Sequence, residues 1–136
     1  MLAMKTRYAM VALAHLAREY GKGPVLSTAI ATQEKIPQRF LEVILLECKK
    51  MGVLASKPGK DGGYYLIKRP EEVTLYDIVR HFEGAIAMLY CVSDKQYQPC
   101  EFCKEEATCR IRNVFLTIRN NTNEVLNQTT LLELIS

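Results

Sequence analysis

Four of the five cysteines in this chain lie close together, at positions 91, 100, 103 and 109. Their spacing is Cys-x8-Cys-x2-Cys-x5-Cys. Thiolates are the usual protein ligands of iron–sulfur clusters, and four of them suit a structural zinc ion equally well. Low-pKa cysteines in a reducing compartment also act as redox switches without a metal. The spacing therefore predicts a metal or thiol site, with these three chemistries left open.

Three short helices are predicted ahead of this segment. The first covers residues 6–20, with Thr6 as its cap, and the second runs from an N-cap at Ser27 through Thr32. The third begins near Pro37 and carries an apolar stripe at i, i+3, i+4 and i+7. This stripe is formed by Leu41, Ile44, Leu45 and Cys48. The fifth cysteine is thus expected to be a small buried hydrophobe rather than a ligand.

The segment after the third helix has the pattern of a short hairpin. Residues 53–56 and 64–67 form two apolar runs, and a turn rich in Gly and Lys separates them. A hairpin directly behind two helices joined by a tight turn is typical of a winged helix-turn-helix. The expected fold is therefore mainly α (α+β), with a two-stranded wing.

Charge is divided unevenly along the chain. Residues 1–70 hold 12 Lys and Arg against 5 Asp and Glu, whereas residues 71–136 hold 6 against 10. A basic helix-turn-helix half is typical of duplex recognition. At the start of the third helix, Arg39 can pair with guanine, Gln38 with adenine, and Glu42 can accept from cytosine.

Further contacts to the duplex are predicted outside the third helix. In the wing, Lys57 and Lys60 carry the charge that a phosphate backbone attracts, and Tyr64 is within the same hairpin. Ser27 and Thr28 open the second helix, so their backbone amides are expected to face a phosphate. The expected partner is double-stranded operator DNA.

Two more helices are predicted in the second half. Thr74 and Asp77 have the spacing of a capping box, which starts a helix that ends near Gly84. From Cys109 an apolar stripe runs over more than four turns, and so long a helix must bury that stripe on something. A second copy of the chain is the expected partner, which predicts a homodimer.

The chain resembles the IscR/NsrR-type winged-helix regulators over nearly its whole length. The segments that carry the resemblance are MKTRYAMVALAHLA, the stretch IPQRFLEVILLECKKMGVLASKPGKDGGYYLIKRPEEVTLYDIVRHFEG, and CRIRNVF after the cysteines. The resemblance implies a dimer whose third helices enter adjacent major grooves, and a terminal helix that crosses to the other subunit.

The resemblance also implies roles for individual residues. Glu42 matches a base-reading glutamate, while Arg39 and Pro58 depart from the serine and arginine that the family often has there. Cys91, Cys103 and Cys109 match the three cysteines that hold an iron–sulfur cluster in many members, and Cys100 is additional. The cofactor expected from this match is a 2Fe–2S or 4Fe–4S cluster, with zinc as the alternative.

The sequence thus predicts three segments: a DNA-binding domain over 1–84, a cluster-binding loop over 85–108 and a dimerisation helix over 109–136. The expected function is a transcriptional regulator, of repressor type, whose operator binding responds to the cluster. The alternatives are a cluster-free thiol or zinc-dependent regulator of the same fold, and a small iron–sulfur electron-transfer protein. No paired nucleophile or phosphate-binding glycine loop is found, so no enzyme is expected. The absence of a long apolar run and of a signal-peptide pattern predicts a cytoplasmic protein without membrane contact.

Overall fold

The computed structural model describes residues 2–94, 96–102 and 105–136. The helices are α1 Met4–Arg18, α2 Ser27–Glu34, α3 Gln38–Lys50, α4 Leu75–Glu83, α5 Arg110–Gln128 and α6 Leu131–Ile135, and the strands are β1 Leu54–Lys57 and β2 Gly63–Leu66. Short 3₁₀ turns cover Pro70–Glu72, Tyr90–Val92 and Glu106–Thr108. The mainly helical fold with a two-stranded wing and a long helix near the carboxyl terminus is confirmed.

Helix α1 lies at the centre of the core and packs against α3, α4 and α6. Its small and aliphatic residues recur at helical spacing, which lets several neighbours approach closely. The fully or nearly fully buried members are Ala9, Ala12, Leu13 and Leu16. The expectation that Thr6 caps α1 is wrong, because Ala3 is the N-cap residue and the buried Thr6 hydroxyl donates to the Glu83 carboxylate of α4.

The turn between α2 and α3 fixes the angle of the helix-turn-helix. Lys35 ends α2 in the left-handed conformation, with φ of 56°. The Ile36 amide then donates to the Ala31 carbonyl at 3.0 Å, and the Ile36 side chain is buried. Pro37 is the N-cap residue of α3. The predicted apolar stripe of α3 is buried as expected.

The wing is an antiparallel pair in which Leu54 faces Leu66 and Lys57 faces Gly63. A second pairing joins the wing to the chain before α2. The Val25 amide donates to the Tyr64 carbonyl and the Tyr64 amide donates to the Val25 carbonyl, both at 2.8 Å. The wing is therefore fixed to the helix-turn-helix by backbone hydrogen bonds and not only by the β1–α3 connection.

Helix α4 begins as the sequence predicts. Thr74 accepts from the Asp77 amide, and the Asp77 carboxylate accepts from the Thr74 amide, so the capping box is complete. Gly84 follows the last residue of the helix with φ of 80°. This positive φ is a conformation that glycine adopts without steric cost.

The carboxyl-terminal segment differs from a single helix over 109–136. Helix α5 stops at Gln128, and the separate helix α6 returns to the core, where Leu131 is fully buried. The Leu131 amide donates to the Val73 carbonyl at 2.9 Å, which fixes α6 beside the start of α4. The turn is favoured because Thr130 caps α6 by accepting from the Glu133 amide. None of the helices in these described ranges is both long enough and apolar enough to cross a membrane.

Candidate nucleic-acid interface and cysteine pocket

Three of the predicted reading residues form one hydrogen-bonded group between the start of α2 and the start of α3. The Ser27 hydroxyl donates to Glu42 Oε1. Gln38 Nε2 donates both to Ser27 Oγ at 2.9 Å and to Glu42 Oε1 at 2.8 Å. We call these three residues the reading triad. The expectation that Ser27 is an N-cap is wrong, because Leu26 has that place and the Ser27 side chain is used by the triad.

The wing tyrosine lies next to this triad. Burial and the nearby negative charge of Glu42 raise the pKa of Tyr64 above its ordinary value of 10.0. Tyr64 therefore stays protonated near neutral pH and can donate through its hydroxyl. The backbone pairing with Val25 holds Tyr64 beside the triad. No local pattern in the sequence indicates Val25 as its partner.

The remaining predicted contacts lie on the exposed surface around the triad. Arg39 is exposed, and its guanidinium lies 5.3 Å from the centroid of the Phe40 ring. Thr28 is exposed in the first turn of α2, where backbone amides have no intrahelical acceptor. Lys57 and Lys60 are exposed at the end of β1 and in the wing loop. Lys49 of α3 donates to the Ser56 hydroxyl at 2.8 Å, which joins this helix to the wing.

Three of the four closely spaced cysteines are described, and they line one pocket of about 160 Å³ near the start of α5. Cys91 is buried, Cys109 is partly exposed and Cys100 is exposed. Cys103 lies outside the described residues. The other lining residues are Leu89, Phe102, Glu106, Ile111 and Arg112. The structure thus brings together three thiols that the sequence separates by up to 17 intervening residues.

Two polar features of this cysteine pocket affect its thiols. The Arg112 amide donates to Cys109 Sγ at 3.4 Å, so Cys109 caps α5. A sulfur at a helix amino terminus is stabilised in its thiolate form. Arg112 Nε is buried and donates no hydrogen bond to any of the described residues, and Glu106 Oε2 lies 3.8 Å from it. The pocket therefore combines thiols with a positive group that has unused donor capacity.

The chain segment that carries Cys91 is tied to α5. Arg119 Nη1 donates to the Val92 carbonyl at 2.7 Å and to Asp94 Oδ1 at 2.8 Å. Across residues 2–94, 96–102 and 105–136, no three His, Cys, Asp or Glu side chains converge as a metal-binding group. The three thiols share a pocket in this structure without converging on one point.

The residues that the sequence assigned to the core are there. Cys48 is fully buried, and burial, followed by the charge of Glu47, raises its pKa to about 12. It therefore remains a neutral thiol, and its role as a small hydrophobe is confirmed. His15 is buried as well, with Nδ1 at 3.2 Å from Glu34 Oε1.

A side-chain hydrogen bond connects α3 to α4, and α4 leads directly into the cysteine segment. His81 Nε2 lies 3.0 Å from Glu47 Oε2. The hydrogen bond from His81, and then that from Lys50, holds the pKa of Glu47 below its ordinary value. Helix α4 therefore contacts both the third helix and, through its packing on α5, the element that begins at the cysteine pocket.

The known proteins that this chain resembles are transcriptional regulators. Residues 2–136 match the Rrf2 family, described as an iron-dependent transcriptional regulator. The chain is 46% identical over 121 residues to an rrf2-like HTH-type transcriptional regulator of Rhodobacter capsulatus, which covers 87% of this chain and 81% of that relative. It is 27% identical over 135 residues to the HTH-type transcriptional regulator IscR of Sodalis glossinidius, with 99% and 78% coverage.

A solved structure with a closely similar fold is that of CymR, the global cysteine regulator of B. subtilis. Its TM-score is 0.83 at 30% identity, and the match covers 99% of this chain and 95% of that one. The curated sequence of CymR from Bacillus subtilis is likewise 30% identical over 135 residues, with 99% and 89% coverage.

Proposed function

Because this chain belongs to the Rrf2 family and is a DNA-binding transcriptional regulator of winged-helix type, we propose that it represses transcription as a homodimer whose operator affinity is set at the cysteine pocket. The observation that carries the DNA-binding part is the reading triad. Phosphates repel an acidic side chain on a basic surface that faces the duplex. The presence of Glu42 there therefore favours a role in reading bases.

We assign contacts in this complex by their chemistry. Glu42 accepts from a cytosine amino group, and Arg39 donates to guanine in the major groove. Lys57 and Lys60 contact phosphates from the wing, and Tyr64 lies in the second strand of the same hairpin. The first amides of α2, at Ser27 and Thr28, face another phosphate, as the amino termini of helices commonly do. The contact with adenine expected for Gln38 requires a free donor on its amide nitrogen.

The homodimer is supported by the surface of α5. None of its residues is buried, although it carries an apolar stripe over its length. Ile111, Val114 and Val125 are 68%, 57% and 62% exposed. A helix with such a face gains most of its stability by packing that face, and a twofold-related copy buries both stripes at once.

DNA binding is tested by fluorescence anisotropy with a duplex recovered from random sequence by repeated selection. The wild-type protein is expected to bind this duplex with a log–log salt slope of about −0.9 per phosphate contact. Arg39→Ala should weaken binding to the selected duplex more than to random DNA, and Arg110→Ala, an exposed arginine at the start of α5, serves as the control. An equal loss on both duplexes would assign Arg39 to the backbone, and no binding at low salt by any form would refute the proposal.

The residues of the cysteine pocket fit an iron–sulfur cluster by their donor set. Cys91 and Cys109 would hold the group together with Cys103, which lies outside the described residues, and Cys100 would be the additional thiol. The unpaired donor at Arg112 Nε suits an additional sulfur acceptor beside these thiols. When bound, a cluster supplies one-electron redox chemistry and sensitivity to oxidants.

The chain's own residues link this pocket to the reading surface. Arg119 holds the Cys91 segment against α5, and α4 packs on α5. The contact between His81 and Glu47 then reaches the third helix. When the residues of the cysteine pocket become more or less ordered, α4 therefore shifts. This shift changes the spacing of the two third helices in the dimer, and with it the affinity for the operator.

Anaerobic purification with iron, sulfide and zinc determination decides among the chemistries of the pocket. Brown protein that loses its visible absorption in Cys91→Ser and Cys109→Ser, but keeps it in Cys48→Ala, supports the cluster. Colourless protein with one zinc per chain would support the zinc-dependent alternative. Metal-free protein whose operator affinity changes on thiol oxidation would support the thiol switch instead.

A further inference from the structure

The donor groups of Gln38 are already used within the protein. Its amide nitrogen carries two hydrogens. One is directed to Ser27 Oγ at 2.9 Å and the other to Glu42 Oε1 at 2.8 Å. A glutamine that reads adenine must donate from this same nitrogen to adenine N7 while its oxygen accepts from N6. In the arrangement observed, Gln38 has no donor left for that contact.

The carboxylate of Glu42 is held by one oxygen only. Oε1 accepts from both the Ser27 hydroxyl and the Gln38 amide. Oε2 accepts no hydrogen bond from any residue in the part of the chain that the structure describes. Glu42 is half-buried at the junction of α2 and α3. One oxygen is thus fixed to the protein, and the other is left for an external donor.

We propose that Ser27 and Gln38 are positioning residues that fix Glu42 for cytosine recognition, and that Gln38 does not itself read a base. This inference rests on the proposed base reading by Glu42. The exocyclic amino group of cytosine is a donor, and Oε2 is the acceptor that the triad leaves open. The raised pKa of Tyr64 agrees with this arrangement, because burial and then the nearby charge of Glu42 are its causes.

A side chain that is fixed before binding loses less conformational freedom when the complex forms. The entropy of ordering one flexible side chain corresponds to about a two- to tenfold change in affinity. Removing either positioning residue should therefore reduce the preference for cytosine by about two- to tenfold, without removing a phosphate contact. The salt slope of binding should stay the same, because the charge on the duplex-facing surface is unchanged.

The test uses the whole 136-residue chain and the selected duplex, with each cytosine of the site replaced in turn by the other bases. The variants are Glu42→Ala, Ser27→Ala, Ser27→Thr and Gln38→Ala, each checked for folding by circular dichroism. We expect Glu42→Ala to abolish the preference at one position. Ser27→Ala and Gln38→Ala should weaken the preference at that same position, and Ser27→Thr, which keeps the hydroxyl, should restore it.

Three results would overturn the inference in distinguishable ways. If Gln38→Ala loses discrimination at an adenine instead, Gln38 reads that base directly and the positioning role is wrong, while base reading by Glu42 stands. If Ser27→Ala and Gln38→Ala keep the full cytosine preference, the triad does not contribute to recognition. If Glu42→Ala keeps every base preference, the proposed base reading fails, and the inference fails with it.

Discussion

Replacing Gly63 with alanine should detach the wing from the helix-turn-helix. Gly63 has φ of 136°, and a β-carbon at this position would lie 2.2 Å from the Val25 carbonyl oxygen. That oxygen accepts one of the two 2.8 Å hydrogen bonds that join Val25 to Tyr64. Because the clash is with backbone, no rotation of a side chain can relieve it, and the chain before α2 must move away.

The expected cost has two parts. An alanine at this positive φ costs about 1 to 3 kcal/mol. Losing the two hydrogen bonds of the Val25 bridge costs about 0.5 to 1.5 kcal/mol each. The sum for Gly63→Ala is about 2 to 6 kcal/mol in the free energy of unfolding. Gly59→Ala is the matched control, because Gly59 has φ of 100° but a β-carbon there meets no atom within 4 Å, so only the first cost applies.

The assay is urea denaturation of both variants and the wild type at the same protein concentration, since the stability of a dimer depends on concentration. Operator affinity is measured in parallel, at low salt, on the selected duplex. Gly63→Ala should be less stable than Gly59→Ala and should bind the operator more weakly, because its wing no longer holds a fixed place beside α2. Equal stability and equal affinity for the two variants would refute the reasoning that the Val25 bridge positions the wing.

Two further perturbations test the contacts around α1. Leu131→Ala should lower the free energy of unfolding by about 2 to 5 kcal/mol, because Leu131 is fully buried, whereas Leu132→Ala, at a position 44% exposed, should have little effect in the same denaturation assay. Hydrogen bonds from the Thr6 hydroxyl and the Ala3 amide hold the pKa of Glu83 below its ordinary value of 4.5, so the stability it adds is present above pH 4.5 and is lost as the pH falls through the lowered pKa. The difference in unfolding free energy between wild type and Glu83→Gln should accordingly shrink with acidification, and a difference that stays constant down to pH 3 would contradict the assignment.

The pairing of His81 with Glu47 gives the regulator a direct contact between α4 and the third helix. This contact lies on the surface, where a single hydrogen bond between side chains contributes little to stability. Its value to the molecule is geometric, since it joins the helix that precedes the cysteine segment to the helix that carries Gln38 and Glu42. The contact therefore joins α4 and α3 through side chains.

Local sequence patterns predicted the elements that depend on neighbours in the chain. The stripe that ends at Cys48 is buried as its period indicates, and the pair Thr74 and Asp77 forms the expected capping box. The spacing of the four cysteines alone predicts a shared site, and the structure brings the described ones to one pocket. These predictions succeed because helix periodicity and capping are decided within a few residues.

The same local rules failed where a side chain has a distant partner. Thr6 and Ser27 are good capping residues by type, yet Thr6 binds Glu83, 77 positions away, and Ser27 binds Glu42, 15 positions away. Helix α6 was not separated from α5 because its five residues are too few to show a period, and its stability comes from the burial of Leu131. Tertiary contacts decide such cases, since capping and propensity contribute only about 1 kcal/mol each and burial of a leucine contributes more.

By itself, the sequence determined the order of the elements, the basic reading half and the identity of the thiols, because each of these depends on residue type and short-range spacing. Only the tertiary structure decided whether the amide nitrogen of Gln38 is free to donate to a base. Its type allows it to read adenine, but folding places it where both amide hydrogens meet acceptors of the protein. Hydrogen-bonding capacity is finite, and a donor that is satisfied inside the fold is no longer available to a base.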